Sequence, residues 1–446
     1  MDIIAKLAKN VIDTKYDTLP KEAIEATKKR ILDTLGVLVA GAQDCKREIG
    51  LVKEWGGKEE SSILVYGGKV PAPNAGWVNS IMAQAVDFDD AVAAAHLSAA
   101  TVPTALAVSE ARKGVSGKEL IAAITAGGDL AIRILLATKD HGFLPTGTIV
   151  VFGTAAIAAK ILGLGMDGML NALGIAFTRA SSTHQVASDK VLALRLVEGY
   201  TSRSGIEAAL LAEKGLTGVK NVLQGTYGFF HLFSWDEVDL NALTDQLGKR
   251  FEGSRASIKK YPSCGTTHTS TAATLKLVQE IDINPREIKQ VTVGVSPFVH
   301  SITGHPFKIG DNPRVEAQFS LAYTVANAIL RKSSLLRHFT EPYVRDPQVS
   351  EIAEKVHPVI SLKGKDLSAN IEIEMRDGRK YSKSVSHSET LLERQSMTAD
   401  EVREKFRNCL SFAPNSAAVE NCERIIDMVD RLEKVNDVSE LVKLLT

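Results

Sequence analysis

Helical periodicity that runs almost unbroken through the first half of the chain, then gives way to strand-like alternation, is the feature that most narrows the fold. From Ile24 to Ala40, residues Ile31, Leu32, Leu35, Leu38 and Val39 share one face after Lys28-Lys29-Arg30 on the other. Comparable patterns recur near 118–137, 150–164, 168–177 and 203–215. Small residues are dense there (Ala155-Ala156, Ala158-Ala159, Ala208-Ala209), which lets helices approach closely in a buried bundle. Near Phe251 the character changes. Ile288 to Val295 (IKQVTVGV) and Leu367 to Met375 (LSANIEIEM) concentrate or alternate β-branched residues, and Asp377-Gly378 supplies a turn before Lys380 to Val385, which predicts a hairpin. Helices are expected at 269–280 and 316–331, and from Thr398 the pattern is helical again through Leu445. The expected fold is therefore mainly α. Residues 1–252 and 394–446 form a large all-helical domain, and 253–393 form a smaller inserted α+β lid.

A chain of 446 residues with 44% hydrophobic content can bury more than one core. Its 53 basic and 53 acidic side chains cancel. That balance argues against a broad electrostatic grip on nucleic acid or anionic lipid, and leaves room for a local cationic pocket. Cys45, Cys264, Cys409 and Cys422 form no CxxC pair, which fits a reduced cytosolic protein, and no iron–sulfur ligand set is visible. The start, Met1-Asp2-Ile3-Ile4-Ala5-Lys6, enters a charged amphipathic helix and does not read as a signal peptide. The apolar runs Leu120 to Ala126 and Thr154 to Leu164 are short and interrupted, so a soluble, cytoplasmic protein with no membrane partner is expected. Gly163-Leu164-Gly165-Met166-Asp167-Gly168 fits GxGxxG but follows an Ala-rich helical run, so it reads as a helix–helix turn and not as a dinucleotide site.

The chemistry-bearing run is Asp87-Phe88-Asp89-Asp90 followed by His96-Leu97-Ser98, three carboxylates and an imidazole between helical segments at Ala75 to Val86 and Val102 to Ala111. One reading is a solvated loop with Asp as cap and turn residue; the other is a reactive cluster between helices. Cys264 and His268, four apart, would face one side of a helix. A zinc pair there lacks a third ligand, and a Cys–His nucleophile is the weaker alternative, so no metal is expected.

Several motifs in this order resemble the MmgE/PrpD family, which includes 2-methylcitrate dehydratases, cis-aconitate decarboxylases and iminodisuccinate epimerases. The carriers are Ile31-Leu32-Asp33-Thr34-Leu35-Gly36, the run at 87–90, Gly142-Phe143-Leu144-Pro145-Thr146-Gly147-Thr148, Ala172-Leu173-Gly174-Ile175-Ala176, Gly205-Ile206-Glu207-Ala208-Ala209, Lys259-Lys260-Tyr261-Pro262-Ser263-Cys264, and Glu316-Ala317-Gln318-Phe319-Ser320-Leu321-Ala322-Tyr323. The resemblance implies a homodimer whose site lies in the cleft between a helical domain and an α+β lid. It implies proton removal from a carbon beside a carboxylate of a small polycarboxylate, followed by elimination, decarboxylation or reprotonation, with no metal or organic cofactor. Such a carbanion needs a base, groups that stabilise the growing negative charge, and an acid.

By the same resemblance Lys259 is the catalytic lysine, with Lys260 beside it to attract substrate carboxylates, and a lysine next to another cation gives up its proton more readily. Asp87 and His96 match the first-motif acid and imidazole, although the loop between them is one residue shorter than usual and Ala91 stands where many members have Thr. Asp89 and Asp90 read more simply as capping and salt-bridging groups. Cys264 and His268 are expected near the reaction centre. Arg314 would clamp a carboxylate and Tyr323 bond a substrate oxygen, with core packing an equal alternative for the tyrosine. Two positions depart from the family. Leu144 and Leu194 stand where relatives carry His and Lys, and His141 and Arg195 are the nearest groups able to compensate. These changes point to a different carboxylate substrate, a simpler isomerisation, or a carboxylate-binding relative without turnover.

Overall fold

The computed structural model describes residues 2–93, 95–139, 141–413 and 416–446. The protein is mainly helical, with two large apolar cores and two small clusters among the described residues. The first joins side chains from Ile4 to Ile258 with others from Val402 to Leu445; the second is built from Ala273 to Val385. The final helices, Ala399–Leu410 and Cys422–Asp430 among them, thus pack with the first half of the chain, while the stretch between folds round its own sheet.

The expected helices form at Lys21–Gly41, Gly117–Ala137, Val151–Ile161, Met166–Phe177 and Leu196–Glu213. Gly163, at φ +74°, makes the turn between two of them. Glycines set two close approaches. A Cβ on Gly205 would fall 2.1 Å from Thr154 Oγ1, so glycine there lets Leu196–Glu213 lie directly on Val151–Ile161. A Cβ on Gly36 would meet the Phe406 ring at 2.9 Å, so glycine there brings Ala399–Leu410 onto Lys21–Gly41.

Two details differ from expectation. The first half is not purely helical, because Ser61–Ser62 and Lys69–Val70 pair as a short antiparallel ladder. And Gly117–Ala137 is long and apolar enough, at mean hydropathy 1.8, to cross a membrane by length and composition, a continuous stretch the interrupted apolar runs did not suggest. Its apolar surface is spent internally, since 89% of that window is buried. It also carries a buried pair in which Arg133 Nε donates to Asp129 Oδ2 at 2.8 Å and the guanidinium reaches the carbonyls of Asp245 and Arg250.

In the second unit four strands lie in the order Val356–Ile360, Ile288–Val295, Ala369–Met375, Lys380–Val385. The last two form the expected hairpin, with Glu374 opposite Lys380. Val356–Ile360, parallel to Ile288–Val295, was not expected; its exposed alternation and internal Pro358 mark it as an edge strand. The helix expected at 316–331 is two helices, Pro313–Gln318 and Leu321–Arg331. Ser320 interrupts them because its hydroxyl accepts the Tyr323 N–H and caps the second. His268–Glu280 and Leu321–Arg331 cover the sheet.

The two units meet at the chemistry-bearing loop. The Gln318 amide donates to the carbonyls of Val86 (2.6 Å) and Pro262 (3.1 Å), and its own carbonyl accepts the Cys264 N–H. Residues Ala91 and Ser257 exchange two backbone hydrogen bonds.

Candidate active site

The helix Ala72–Gln84 ends one turn before Asp87, where the backbone turns left-handed (φ +47°), a conformation aspartate tolerates better than most residues. This turn presents both the carboxylate and the carbonyl of Asp87 to Lys259, whose Nζ donates to Oδ1 at 2.5 Å and to the carbonyl at 3.0 Å. Lys259 is 1% exposed, so the pair is held away from water. Next to it, His96 Nδ1 donates to Asp89 Oδ2 at 2.8 Å. Asp90 accepts from the Ser98 N–H (2.8 Å) and hydroxyl (2.6 Å), fixing the start of Ser98–Arg112. The capping and salt-bridging roles read from sequence are thus divided between Asp90 and Asp89.

Burial works against a charged His96, but the Asp89 carboxylate outweighs it and raises the imidazole to about 9, so His96 is an imidazolium at neutral pH. Asp89 stays below the usual carboxylate range despite burial, because His96 and Lys259 face it. Glu198, which the sequence reading did not single out, sits beside this group. Burial, only partly offset by His96 and reinforced by Asp89, pushes it up to about 8. Lys405, also missed, enters from the last helical segment. It pairs with Asp33 at 2.7 Å and donates to the carbonyls of Phe88 (2.7 Å) and Lys259 (3.0 Å), with its ammonium 3.7 Å above the Phe88 ring. Burial lifts Asp33 to about 7 against the pull of Lys405.

Ligand atoms of Asp87, Asp89 and His96 lie within 4.8 Å of one another, the spacing of a shared cation. Lys259 and His96 already face these carboxylates, through the Lys259–Asp87 and His96–Asp89 contacts.

Of the residues expected at the site, Asp87, His96 and Lys259 come together, and Cys264 borders them. Its Sγ lies 3.2 Å from Thr266 Oγ1, and burial together with the Asp87 charge raises the thiol, which disfavours a nucleophilic thiolate. Arg195 lines a small, narrow cleft with Gln84, Asp87, Leu194, Gln318 and Phe319. Arg195 is tied to Glu48 at 2.6 Å, and the Arg314 guanidinium is paired with Asp44. Lys190, unmarked in the sequence, precedes the cleft wall at Val191 and Leu192, within electrostatic reach of Cys264 and Glu316. A larger cleft of about 610 Å³, walled by Arg179, Ser181, Ser182 and Tyr200, holds no carboxylate or imidazole and so lacks acid–base machinery.

Other expected residues stand apart. The two lysines diverge: Asp87 draws Lys259 inward, while Lys260 is half exposed and faces Glu393 at 3.5 Å, so the neighbouring-cation argument does not apply. His268 is buried against the Tyr261 ring with Nε2 on the Ser263 carbonyl, and burial plus Arg394 keep it neutral, well below the ordinary histidine range. It does not share a helix face with Cys264, because Cys264 precedes a separate 3₁₀ turn, Gly265–Thr267. Tyr323 donates to the His338 carbonyl inside the second core, flanked by Phe307 and Phe339, which is the packing alternative. His141 stacks on Trp235 at 3.8 Å and leans towards Glu237, so it does not replace the missing imidazole at Leu144, which is itself buried.

Two family models match, the MmgE/PrpD N-terminal domain over residues 5–240 and the MmgE/PrpD C-terminal domain over residues 261–434. This chain belongs to the MmgE/PrpD family. Among its relatives are the cis-aconitate decarboxylase of Homo sapiens, 28% identical over 457 residues that cover 97% of this chain and 92% of that protein, and that of Mus musculus, 28% identical over 458 residues covering 97% and 91%. The cis-aconitate decarboxylase of Aspergillus terreus is 28% identical over 463 residues, covering 96% and 93%. MmgE/PrpD membership, with decarboxylases as whole-length relatives, supports decarboxylase- or dehydratase-type chemistry.

The paired charges make stability depend on pH. His96 titrates higher folded (about 9) than as a free imidazole (6.5), so its contribution is complete below 6.5 and lost as pH rises towards 9. Glu198, raised to about 8, and Asp33, raised to about 7, act with the same sign, because the folded state again holds the proton more tightly than the unfolded one. The thermal midpoint should therefore fall between pH 6.5 and 9, and an Asp89→Asn variant should show a shallower fall. A midpoint that is flat or rises over that range would contradict the assignment.

Proposed function

We propose that this protein removes a proton from the carbon beside a carboxylate of a small di- or tricarboxylate, as a lyase or isomerase that draws acid and base from its own side chains. The observation that carries the reading is the buried assembly of Lys259–Asp87 and His96–Asp89 at the edge of a small cleft. Lys259 Nζ, held 2.5 Å from Asp87 Oδ1, is the group placed to accept the α-proton as an amine, and the Asp87 carboxylate stabilises the ammonium that results. The imidazolium of His96 then lies near the negative charge that develops on the substrate carboxylate. Several titratable groups, and not one, surround Lys259, which favours lyase chemistry.

Leu194 on the cleft wall and the buried Leu144 favour a second reading, dicarboxylate epimerisation, which needs an acid and a base but no leaving-group contact. A panel of di- and tricarboxylates screened by thermal shift, then followed in heavy water, tests both. Deuterium should enter the α position of at least one stabilising ligand. Release of carbon dioxide, a new double bond, or inversion alone identifies the reaction. Stabilisation without exchange across the panel would leave a binding protein instead of an enzyme.

A further inference from the structure

Glu198 has no structural task that accounts for it. It lies in the first turn of Leu196–Glu213, is 1% exposed, and its Oε2 is buried without a hydrogen-bond partner. A buried polar oxygen left unsatisfied is costly and calls for an explanation. Leu194 and Arg195, in the 3₁₀ turn Leu192–Arg195 that runs directly into this helix, line the cleft that holds Asp87, so the first helical turn, which carries Glu198, starts at the cleft wall.

The local framework fixes that turn against the reactive loop. Thr201, one turn beyond Glu198, donates to the Val197 carbonyl (2.7 Å) and also reaches the Thr146 carbonyl (3.3 Å), while the Thr146 hydroxyl accepts the His96 N–H at 3.0 Å. The segment 146–150 is therefore a spacer between the Glu198 helix and His96.

The charged groups facing Glu198 are few. Ala72–Gln84 and Thr146–Val150, both packed on this helix, carry none. Ser98–Arg112, Val151–Ile161 and Met166–Phe177 carry theirs only towards far ends, at Glu110, Arg112, Lys160 and Asp167. Arg195 is paired with Glu48. What remains is His96, Asp89 and Asp87.

We propose that Glu198 is a proton donor of the site, returning a proton to the substrate carbanion that forms when Lys259 takes the α-proton. This rests on the reaction proposed above and adds its second half. The Lys259 amine breaks the substrate C–H bond and becomes an ammonium; the Glu198 carboxyl loses its O–H proton to the carbanion carbon and becomes a carboxylate. One proton leaves the substrate and one returns, so the enzyme resets when the ammonium proton passes to Glu198, with His96 and Asp89 between them as a relay. Burial keeps Glu198 protonated at neutral pH, as a donor must be.

Glu198→Gln keeps shape and a hydrogen-bond donor but carries no transferable proton. It should lower turnover of a stabilising polycarboxylate about 100-fold with KM changed less than about 2-fold, the pattern of a lost general acid. Infrared difference spectra of the whole protein between pH 6 and pH 9.5 should show protonated-carboxyl absorption that titrates in the wild type and loses one component in Glu198→Gln, leaving that of acids such as Asp33. If turnover in Glu198→Gln stays within about 3-fold of wild type, the proposal is overturned while the reaction stands. A titrating band unchanged in the variant also overturns it, since acids such as Asp33 then account for the whole signal. A wild type that exchanges nothing overturns the reaction and the donor role together, and the band then marks only a structural acid.

Discussion

Replacing Lys259 with methionine should reduce turnover by about 100-fold or more, the scale of a lost general acid–base group. Methionine keeps much of the side-chain volume and removes the ammonium. The substitution has a structural cost as well, because Asp87 is left buried without its cation. Breaking one partner from such a pair costs about 3–5 kcal/mol, whereas replacing both partners with neutral groups is often nearly neutral. The informative comparison is therefore between Lys259→Met and the double variant Lys259→Met/Asp87→Asn, with kcat and thermal midpoint measured for each. The double variant should recover much of the lost stability and none of the lost turnover. Near-wild-type turnover in a stably folded double variant would move the base to His96. Lys260→Ala, by contrast, should change little, since the exposed Lys260–Glu393 contact is of the kind that contributes about 0–1 kcal/mol.

Lys405→Ala should be the most destabilising single change at the site, by about 3–5 kcal/mol in denaturant unfolding. The ammonium compensates Asp33 and satisfies the carbonyls of Phe88 and Lys259, all in the interior. Alanine strands every one of them. Turnover should fall too, because those carbonyls set the positions of the segments that carry Asp87, Asp89 and Lys259. Lys405→Met combined with Asp33→Asn should recover stability more than activity. Wild-type stability in Lys405→Ala would mean that water reaches and satisfies these groups.

Much of the architecture was legible because amphipathic periodicity over 15–20 residues is a strong signal, as in Lys21–Gly41 and Gly117–Ala137. Short elements were not. Val356–Ile360 has five residues, a proline and mostly exposed side chains, and its identity as a strand depends on the neighbour with which it pairs. At the site, the charged run from Asp87 to His96 stood out because charge beside apolar helices needs a reason, but the family resemblance was needed to choose between its two readings and to mark Lys259 at all. Glu198 and Lys405 did not stand out, since each sits in a helix where a charged residue would ordinarily face water. Asp33 and Gly36 in Lys21–Gly41 held a clue: an acid three residues before a glycine marks where another helix comes close enough to deliver a cation. Lys260 was over-read, as sequence proximity to a reactive residue says nothing about which way a side chain turns, whereas Tyr323 took the packing alternative that its sequence left open.

The reach of Lys405 also has a consequence for biosynthesis. The acid–base pairs are encoded between residues 87 and 259, but the ammonium that joins their two segments lies at 405, in a helix that packs on residues 21–41. Residue 405 must leave the ribosome before that contact can close, long after residues 87 and 259 have emerged. Until then nothing from that helix ties the carbonyls of Phe88 and Lys259 together, and a truncation ahead of residue 405 discards the clasp.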